Sequence, residues 1–470
     1  MPIYIYNSLS RKKEEFIPIT KDQVKIYACG PTVYDAPHIG HARSAYIFDL
    51  IRRYLSFKGY QVKFVRNVTD VDDKIIDKAR KDKPHEDLIT ACRSVAETYL
   101  EAYHQALKTL DIDSSGDKLI EPKASAYIPK MINFIEGLII QGKAYACAGD
   151  VYFDITKAKD YGKLSHQSLD KMESGTRVAA KENKRNPLDF ALWKSAKANE
   201  PSWTSPWGEG RPGWHIECSV MSSDILGDEF DIHGGGIDLI FPHHENEIAQ
   251  SEGAGKKFAR YWIHHGLLTI NGQKMSKSLG NFITVDDFIA RYHDPDLLKL
   301  LFLFTHYAHP VDYTDEKVQE ARQALERVRI LFDKASGLSA QLSFDKLPVE
   351  IEDAKLGFIK AMDDDFNTPQ AVASIFELVN LANKNITDEK FVISAVNVLK
   401  ELCALLGIAS VRPQHSDVTQ DTKINQAINA RLKARLDHDY ALADKIRKDL
   451  EAQGVILEDG KSGTTWRRKL

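Results

Sequence analysis

Two short motifs far apart in the chain, His38-Ile-Gly-His41 and Lys274-Met-Ser-Lys-Ser278, carry residue types suited to handling polyphosphate. The stretch Val24 to Ala28 reads as a buried strand, Gly30-Pro31-Thr32 breaks it, and apolar Ala42, Ala45, Phe48, Ile51 and Leu55 predict a helix over 41–59. A helix N-terminus at the end of a strand offers free N–H groups and a positive dipole to an anion. His38 and His41 are three apart, so both imidazoles can face one phosphate, and Gly40 leaves the backbone open to a ligand. His264 to Ile270 reads as a strand, and the Asn271-Gly272 turn after it puts Lys274 and Lys277 on a loop able to clamp phosphates. Where a carboxylate attacks the α-phosphorus of ATP and pyrophosphate leaves, negative charge builds on oxygens. Positioned cations and N–H donors stabilise that charge. Two exposed histidines and a solvated lysine loop are the competing readings, and neither accounts for the pair.

The pair resembles the signatures of the class I aminoacyl-tRNA synthetases. Further segments resemble the cysteine-specific branch: Tyr27 to Asp35, Arg66 to Asp73, Gly213 to Cys218, His233 to Gly236, Phe241 to Glu247, Asp363 to Pro369 and Gly463 to Arg468. The likeness runs through essentially the whole chain. It implies a ligase that joins L-cysteine to tRNA(Cys) through an adenylate made from ATP with Mg2+. His38, His41, Lys274 and Lys277 are then the catalytic residues. It also implies one zinc ion per chain, held by Cys29, Cys218, His243 and Glu247. Thiolate, imidazole and carboxylate suit that metal, although the spacing matches no zinc finger, and buried cysteines are usually small apolar core residues. His243 and Glu247 are four apart in a run that reads as helical, hence on one face. His244 and Glu245 lie beside them and would replace Glu247 in another register. Zinc would separate cysteine from serine by its preference for a soft thiolate, where shape alone separates near-isosteres by about 1–3 kcal/mol.

The same segments supply expectations for the rest of the site. Gly234, Gly235 and Gly236, after the strand Phe230 to Ile232, offer bare backbone to the adenine or ribose. Asp238 could bond the ribose or the substrate ammonium. The family places Thr69 and Trp214 near the amino-acid pocket, against structural readings as a helix cap and a core aromatic.

A chain of 470 residues exceeds one ordinary core, so several domains are expected. Hydrophobic content of 43% with 28% charged residues fits a soluble globular protein. Leader and bilayer-length apolar run are both absent from the sequence, and Leu297 to Phe304, interrupted by Lys299, reads as a buried helix. Five irregularly spaced cysteines make no disulfide framework, so a reducing cytoplasm and no membrane partner are expected. Net charge is −4, yet from Lys423 onward there are 11 Lys and Arg against 7 Asp and Glu. A basic end on an acidic body suits docking of RNA, and equally a solubility gradient.

The periodicity predicts an α/β Rossmann-like parallel sheet with an insertion, followed by a helical bundle and a small C-terminal α+β domain. The expected domains are catalytic, 1–117 and 206–311; insertion meeting the tRNA acceptor end, 118–205; helical bundle, 312–410; anticodon recognition, 411–470. Within the insertion, Ala144 to Cys147 and Val151 to Asp154 read as a hairpin, and the polar stretch Lys171 to Arg185 as a mobile excursion. Thr368-Pro369 reads as a capped helix start, 388–406 and 423–453 as helices, 411–422 as a linker, and 455–466 as a hairpin turning at Asp459-Gly460. Trp466 beside Arg467 and Arg468 fits a base-stacking tRNA contact, and equally a hairpin pinned to its helices. A monomer is expected. The competing functions are a cysteine ligase that acylates an amino-sugar, disfavoured by the basic tail, and an inactive RNA-binding protein, disfavoured by the intact His and Lys pairs.

Overall fold

Runs of β-branched and aromatic residues that are buried on both faces form parallel strands. Five parallel strands, the last a short and partly exposed edge, make the central sheet of this computed structural model, in the order Phe258–His265, Glu229–Gly236, Gln23–Ala28, Gln61–Arg66, Leu119–Ile120. The structure describes residues 2–112, 119–167, 184–276, 279–338, 346–408, 418–437, 439–452, 455–460 and 463–468. The chain leaves Gln23–Ala28 towards one edge and later returns on its other side. A crevice therefore opens at the strands' carboxyl ends between Gln23–Ala28 and Glu229–Gly236. Cys29 stands at its mouth, its N–H donating to Gly234 O at 3.0 Å.

The first predicted helix is Ile39–Phe57, and it packs its apolar face into the main core. The strand–helix alternation expected from Ile3 onward begins only at Gln23. Tyr4–Asn7 and Lys12–Glu15 instead form a separate antiparallel pair. Helices Asp73–Asp82 and Leu88–Thr109 share a smaller core of Ile75, Ile76, Cys92 and Val95. Asp72 caps the first of these helices at Lys74 N, and Asp73 is bound by Lys194 and Arg211 of the insertion.

The insertion carries an antiparallel sheet in the order Ala144–Cys147, Asp150–Phe153, Phe190–Ser195, Gly208–Pro212, Trp203–Ser205. Its hairpin turns at Ala148 and Gly149, both at positive φ, as the tight two-residue turn requires. The sheet continues through Pro212. Residues 168–183, most of the polar excursion, lie outside the described residues.

Helices Asp315–Ala335, Val349–Asp363, Thr368–Lys384 and Glu389–Leu406 follow. The cap at the third is Asn367, whose side chain accepts from Gln370 N, rather than the expected Thr368 hydroxyl. The buried helix around Lys299 is Pro295–Leu303, and the ammonium donates to Gly407 O and pairs with Asp296 at 2.8 Å. None of the described helices is long and apolar enough to cross a membrane.

Contacts divide the chain into two units, Met1–Ser410 and Val411–Leu470. In the second, the expected 423–453 helix is two helices, Val418–Leu436 and Tyr440–Ala452. The hairpin pairs Val455–Gly460 with Gly463–Arg468, so it turns beyond Asp459-Gly460. Ile424, Ile428, Leu450, Val455 and Leu457 make its core. Trp466 lies opposite Leu457 in register, and the side chains of Trp466, Arg467 and Arg468 lie outside the described residues.

Candidate active site and metal centre

His38 has extended backbone and caps the Ile39–Phe57 helix. Its Nδ1 accepts from Gly40 N at 3.1 Å and His41 N at 3.2 Å, while His38 N donates back to His41 Nδ1 at 3.3 Å. A ring nitrogen that accepts an N–H carries no proton, so both imidazoles are Nε2–H tautomers. Burial, then the charges of His38 and Lys74, hold the His41 pKa well below its ordinary value. The two stacked rings, with centroids 3.6 Å apart, therefore both turn an Nε2–H outward from the cap. Gly40 lines the cavity beside these rings, and a Cβ there would also lie 2.9 Å from the His38 ring.

A cavity of about 400 Å³ extends from these histidines along the strand ends; Cys29, Trp214, Gly236, Asp238 and Lys274 also line it. Of the three glycines only Gly236 reaches the wall. A Cβ on Gly234 would strike Phe48 at 2.3 Å, and one on Gly235 would meet Leu239 at 2.8 Å, so both are bare for packing. The predicted strand His264–Ile270 is broken at Gly266: Phe258–His265 ends the parallel sheet and Leu268–Ile270 pairs with Gln273–Lys274. Asn281 holds the start of the lysine loop through Ser276 N and Lys274 O. Lys277 and Ser278 lie outside the described residues.

Sequence reasoning missed Arg43, buried one turn into the first helix. Its guanidinium donates to the carbonyls of Gly266, Leu267, Tyr307 and His309, the last three at 2.8, 3.1 and 2.6 Å. Burial lowers its pKa to about 10. An arginine inside an apolar helical face was the available signal.

At the other end of the cavity, Cys29, Cys218, His243 and Glu247 each bring one donor atom within 4.8 Å of the others. The sulfurs are 3.7 Å apart, Cys218 Sγ is 3.6 Å from His243 Nε2, and Cys29 Sγ is 3.7 Å from Glu247 Oε1. A tetrahedron with zinc–sulfur bonds of about 2.3 Å has edges of roughly 3.7 Å, so these separations fit such an ion. The approach of His243 Nε2 to Glu247 Oε1, 2.9 Å, is that of a hydrogen bond. Burial raises the Cys29 thiol, as does its hydrogen bond to Cys218. Against the same burial, the bonds from Cys29 and His243 bring Cys218 down to about 6. Burial opposes charge on Glu247 and His243 as well, but His233 and His243 hold Glu247 at about 2, and Glu247 and Cys218 raise His243 to about 10. The His243 proton thus sits where a metal cation would replace it.

His243 and Glu247 share a face of continuous helical backbone, whose one kink lies before both of them. Ile240–His244 is a distorted turn with non-helical Phe241, and the regular helix is Glu245–Gly253. Glu245 points away and accepts N–H groups of Gly162, Leu164 and Ser165. His244 does approach the cluster: Cys29, His233, His244 and Glu247 form a second donor set sharing two members with the first. His244 Nε2 is 3.2 Å from Cys29 Sγ, and His233 Nε2 is 2.7 Å from Glu247 Oε2. His243 is oriented from behind by His215, Nδ1 to Nδ1 at 2.9 Å, and stacks on half-exposed Trp214 at 4.0 Å. The Tyr27 hydroxyl was also missed. It is fully buried beside the thiols, and its pKa is raised by burial and then by the charge of Cys218 and Cys29. Tyr27 is two residues before Cys29 at the strand's end, so strand alternation was the signal. Thr69 neither caps a helix nor lines the cavity; it is buried and donates to Glu217 at 2.6 Å.

Comparisons with known proteins accord with this arrangement. Residues 15–323 match the tRNA synthetases class I (C) catalytic domain, and residues 357–410 the DALR domain. The chain is 46% identical to the cysteine–tRNA ligases of Persephonella marina and Anoxybacillus flavithermus, covering all of this chain and of each relative. Mycobacterium tuberculosis methionyl-tRNA synthetase in complex with methionyl-adenylate superposes with a TM-score of 0.61 at 15% identity, over 83% of this chain and 92% of that one. A putative arginyl-tRNA synthetase from Campylobacter jejuni gives 0.55 at 17%, over 83% and 93%. At such identity these two show a shared fold.

Proposed function

We infer the working of this site from one premise: the chain belongs to the cysteine–tRNA ligase family of class I synthetases. It activates L-cysteine with ATP to cysteinyl-adenylate and transfers the cysteinyl group to the 3′ end of tRNA(Cys). One juxtaposition carries this reading: a buried two-thiol donor set at one end of a cavity whose other end presents the neutral Nε2–H groups of His38 and His41.

Cys29, Cys218, His243 and Glu247 would hold one zinc ion, which supplies a soft acceptor for the substrate's thiolate and so a basis for rejecting serine. Trp214 would close the amino-acid end, and Asp238, on the cavity wall, would meet the substrate ammonium or the ribose. A cysteine carboxylate oxygen attacks the α-phosphorus of ATP, brought with Mg2+, and the bond to pyrophosphate breaks. His38 and His41 donate to phosphate oxygens as charge builds there. Lys274 and Lys277 meet the charge on the departing pyrophosphate. A terminal ribose hydroxyl of the tRNA then attacks the cysteinyl carbonyl, and AMP leaves. Residues 118–205 would meet the acceptor end, and 411–470, with Trp466, Arg467 and Arg468, the anticodon. Cysteine-dependent ATP–pyrophosphate exchange, followed by charging of tRNA with a GCA anticodon, tests the scheme; absence of exchange overturns it.

Deleting residues from Val411 onward, the second unit, should spare exchange and abolish efficient charging. Contacts between a basic tail and phosphates are electrostatic, so tRNA affinity of the full chain should fall steeply with salt. Recognition by stacking and base edges would make the loss depend on the anticodon. Charging kinetics of both chains on native and anticodon-substituted tRNA are the measurement. Unchanged charging would make the tail a stability element.

A further inference from the structure

Lys74 is a cation on the cavity wall that the scheme above leaves without a task. It sits one residue into the Asp73–Asp82 helix, exposed, its Nζ 5.3 Å over the Tyr34 ring, and it lines the same cavity as His38, His41 and Lys274. Its acidic neighbours are already engaged. Asp72 is spent on the helix cap, and Asp73 is bound by Lys194 and Arg211. Further along the helix, Lys78 pairs with Asp82 at 3.1 Å and Arg80 with Glu200 at 2.9 Å. Among the described residues no carboxylate pairs with Lys74. Its charge also reaches His41, whose protonation it opposes after burial and His38. A lysine whose neighbouring carboxylates are engaged elsewhere, on the wall of the cavity that both imidazoles also line, is disposed towards an anion.

We propose that Lys74 is a further phosphate-contacting residue, its ammonium meeting the non-bridging oxygens of the α-phosphate. That phosphate stays in the site through adenylate formation and transfer, whereas pyrophosphate leaves. The two kinds of cation differ to match. Lys274 lies at the base of a loop on a two-residue exposed strand. Lys74 rides on a helix capped by Asp72 and tied through Asp73 to the insertion sheet, a mount suited to fixed geometry. The proposal rests on the cysteine-activation reading and adds to it a contact that persists after pyrophosphate has gone.

The test compares wild type with Lys74→Met and Lys74→Arg, substitutions at an exposed position. Two ligands are titrated calorimetrically: cysteinol adenylate, whose phosphate is a monoanion, and the corresponding alkyl sulfamate, which is neutral. Lys74→Met should weaken the phosphate ligand about tenfold to a hundredfold, as loss of a charge-assisted hydrogen bond does, and leave the sulfamate nearly unchanged. In pyrophosphate exchange the same variant should lose kcat by a similar factor with the cysteine KM held, and Lys74→Arg should recover most of both losses. Equal affinities for both ligands and an unchanged kcat would overturn the proposal. So would a defect confined to transfer from preformed adenylate, which would assign Lys74 to an RNA backbone phosphate. A wild type without cysteine-dependent exchange would instead refute the activation reading itself, a result visible before any variant is made.

Discussion

His41→Ala should lower kcat for cysteine-dependent pyrophosphate exchange by a factor of a hundred or more, about 3 kcal/mol, with cysteine affinity almost unchanged. Removing one preorganised donor aimed at developing negative charge costs about that much, and the loss falls on the chemical step. His41 Nδ1 is committed to His38 N, so its Nε2–H is the donor that the substitution deletes. His41→Asn should recover part of the rate by offering a shorter N–H donor, and metal content should be untouched because the residues that could hold a metal are others. The pH dependence follows from sign. The folded-state pKa lies well below the ordinary histidine value, chiefly through burial, so the ring is neutral from pH 6 to 8 and the rate owes no limb near 6.5 to His41. A kcat that climbs as pH falls through 6.5, and does so only with His41 present, would mean that imidazolium is the working form and would refute the tautomer assignment. A wild-type rate in His41→Ala would remove the residue from the reaction.

Wild type should carry about one zinc per chain, and Cys218→Ala should lose it together with the preference for cysteine over serine. The choice of residue matters because the two donor sets share Cys29 and Glu247. Substituting either shared residue would damage both sets and decide nothing. Cys218 belongs to the first set alone and His244 to the second alone, so Cys218→Ala and His244→Asn separate them by metal analysis. The expected outcome is less than one-tenth of a zinc per chain in Cys218→Ala, and near-stoichiometric, more weakly held zinc in His244→Asn, whose ring abuts Cys29. Discrimination against serine in Cys218→Ala should collapse towards the 1–3 kcal/mol or so that pocket shape alone provides. Full zinc in Cys218→Ala with loss in His244→Asn would transfer the site to the second set.

What could be read from the residues was what nearby residues determine. The Val24–Ala28 strand, the glycine–proline break and the helix after it announce themselves through local apolar periods. His243 and Glu247 came together because four residues of helix bring a side chain round to the same side. Failures occurred where distant atoms decide. Gly266 interrupts an otherwise continuous strand because its α-carbon lies against the backbone of His309 and Pro310, where a Cβ would come within 2.3 Å. Gly234 is bare to seat Phe48, a packing partner on another element. Composition could place the thiols near a metal only through family resemblance. Nothing in the spacing shows that His233 and His244 crowd the same donors. The helix break between Leu436 and Tyr440 falls in polar sequence whose periodicity is too weak to mark an end.

Arg43 gives the catalytic chamber a mechanical character. The helix bearing His38 and His41, the backbone at Gly266 and Leu267 beneath the lysine loop, and the Tyr307–His309 segment are bolted together through one planar guanidinium. These parts cannot shift independently without stranding a buried cation or orphaning carbonyls. One side chain therefore ties three separate segments of the chamber's floor to one another. An ammonium, with three donors and no plane, could not span the four acceptors. Lysine at this position would leave some of those carbonyls without a donor and loosen the helix bearing His38 and His41 from the backbone at Gly266 before any side chain that touches substrate is altered.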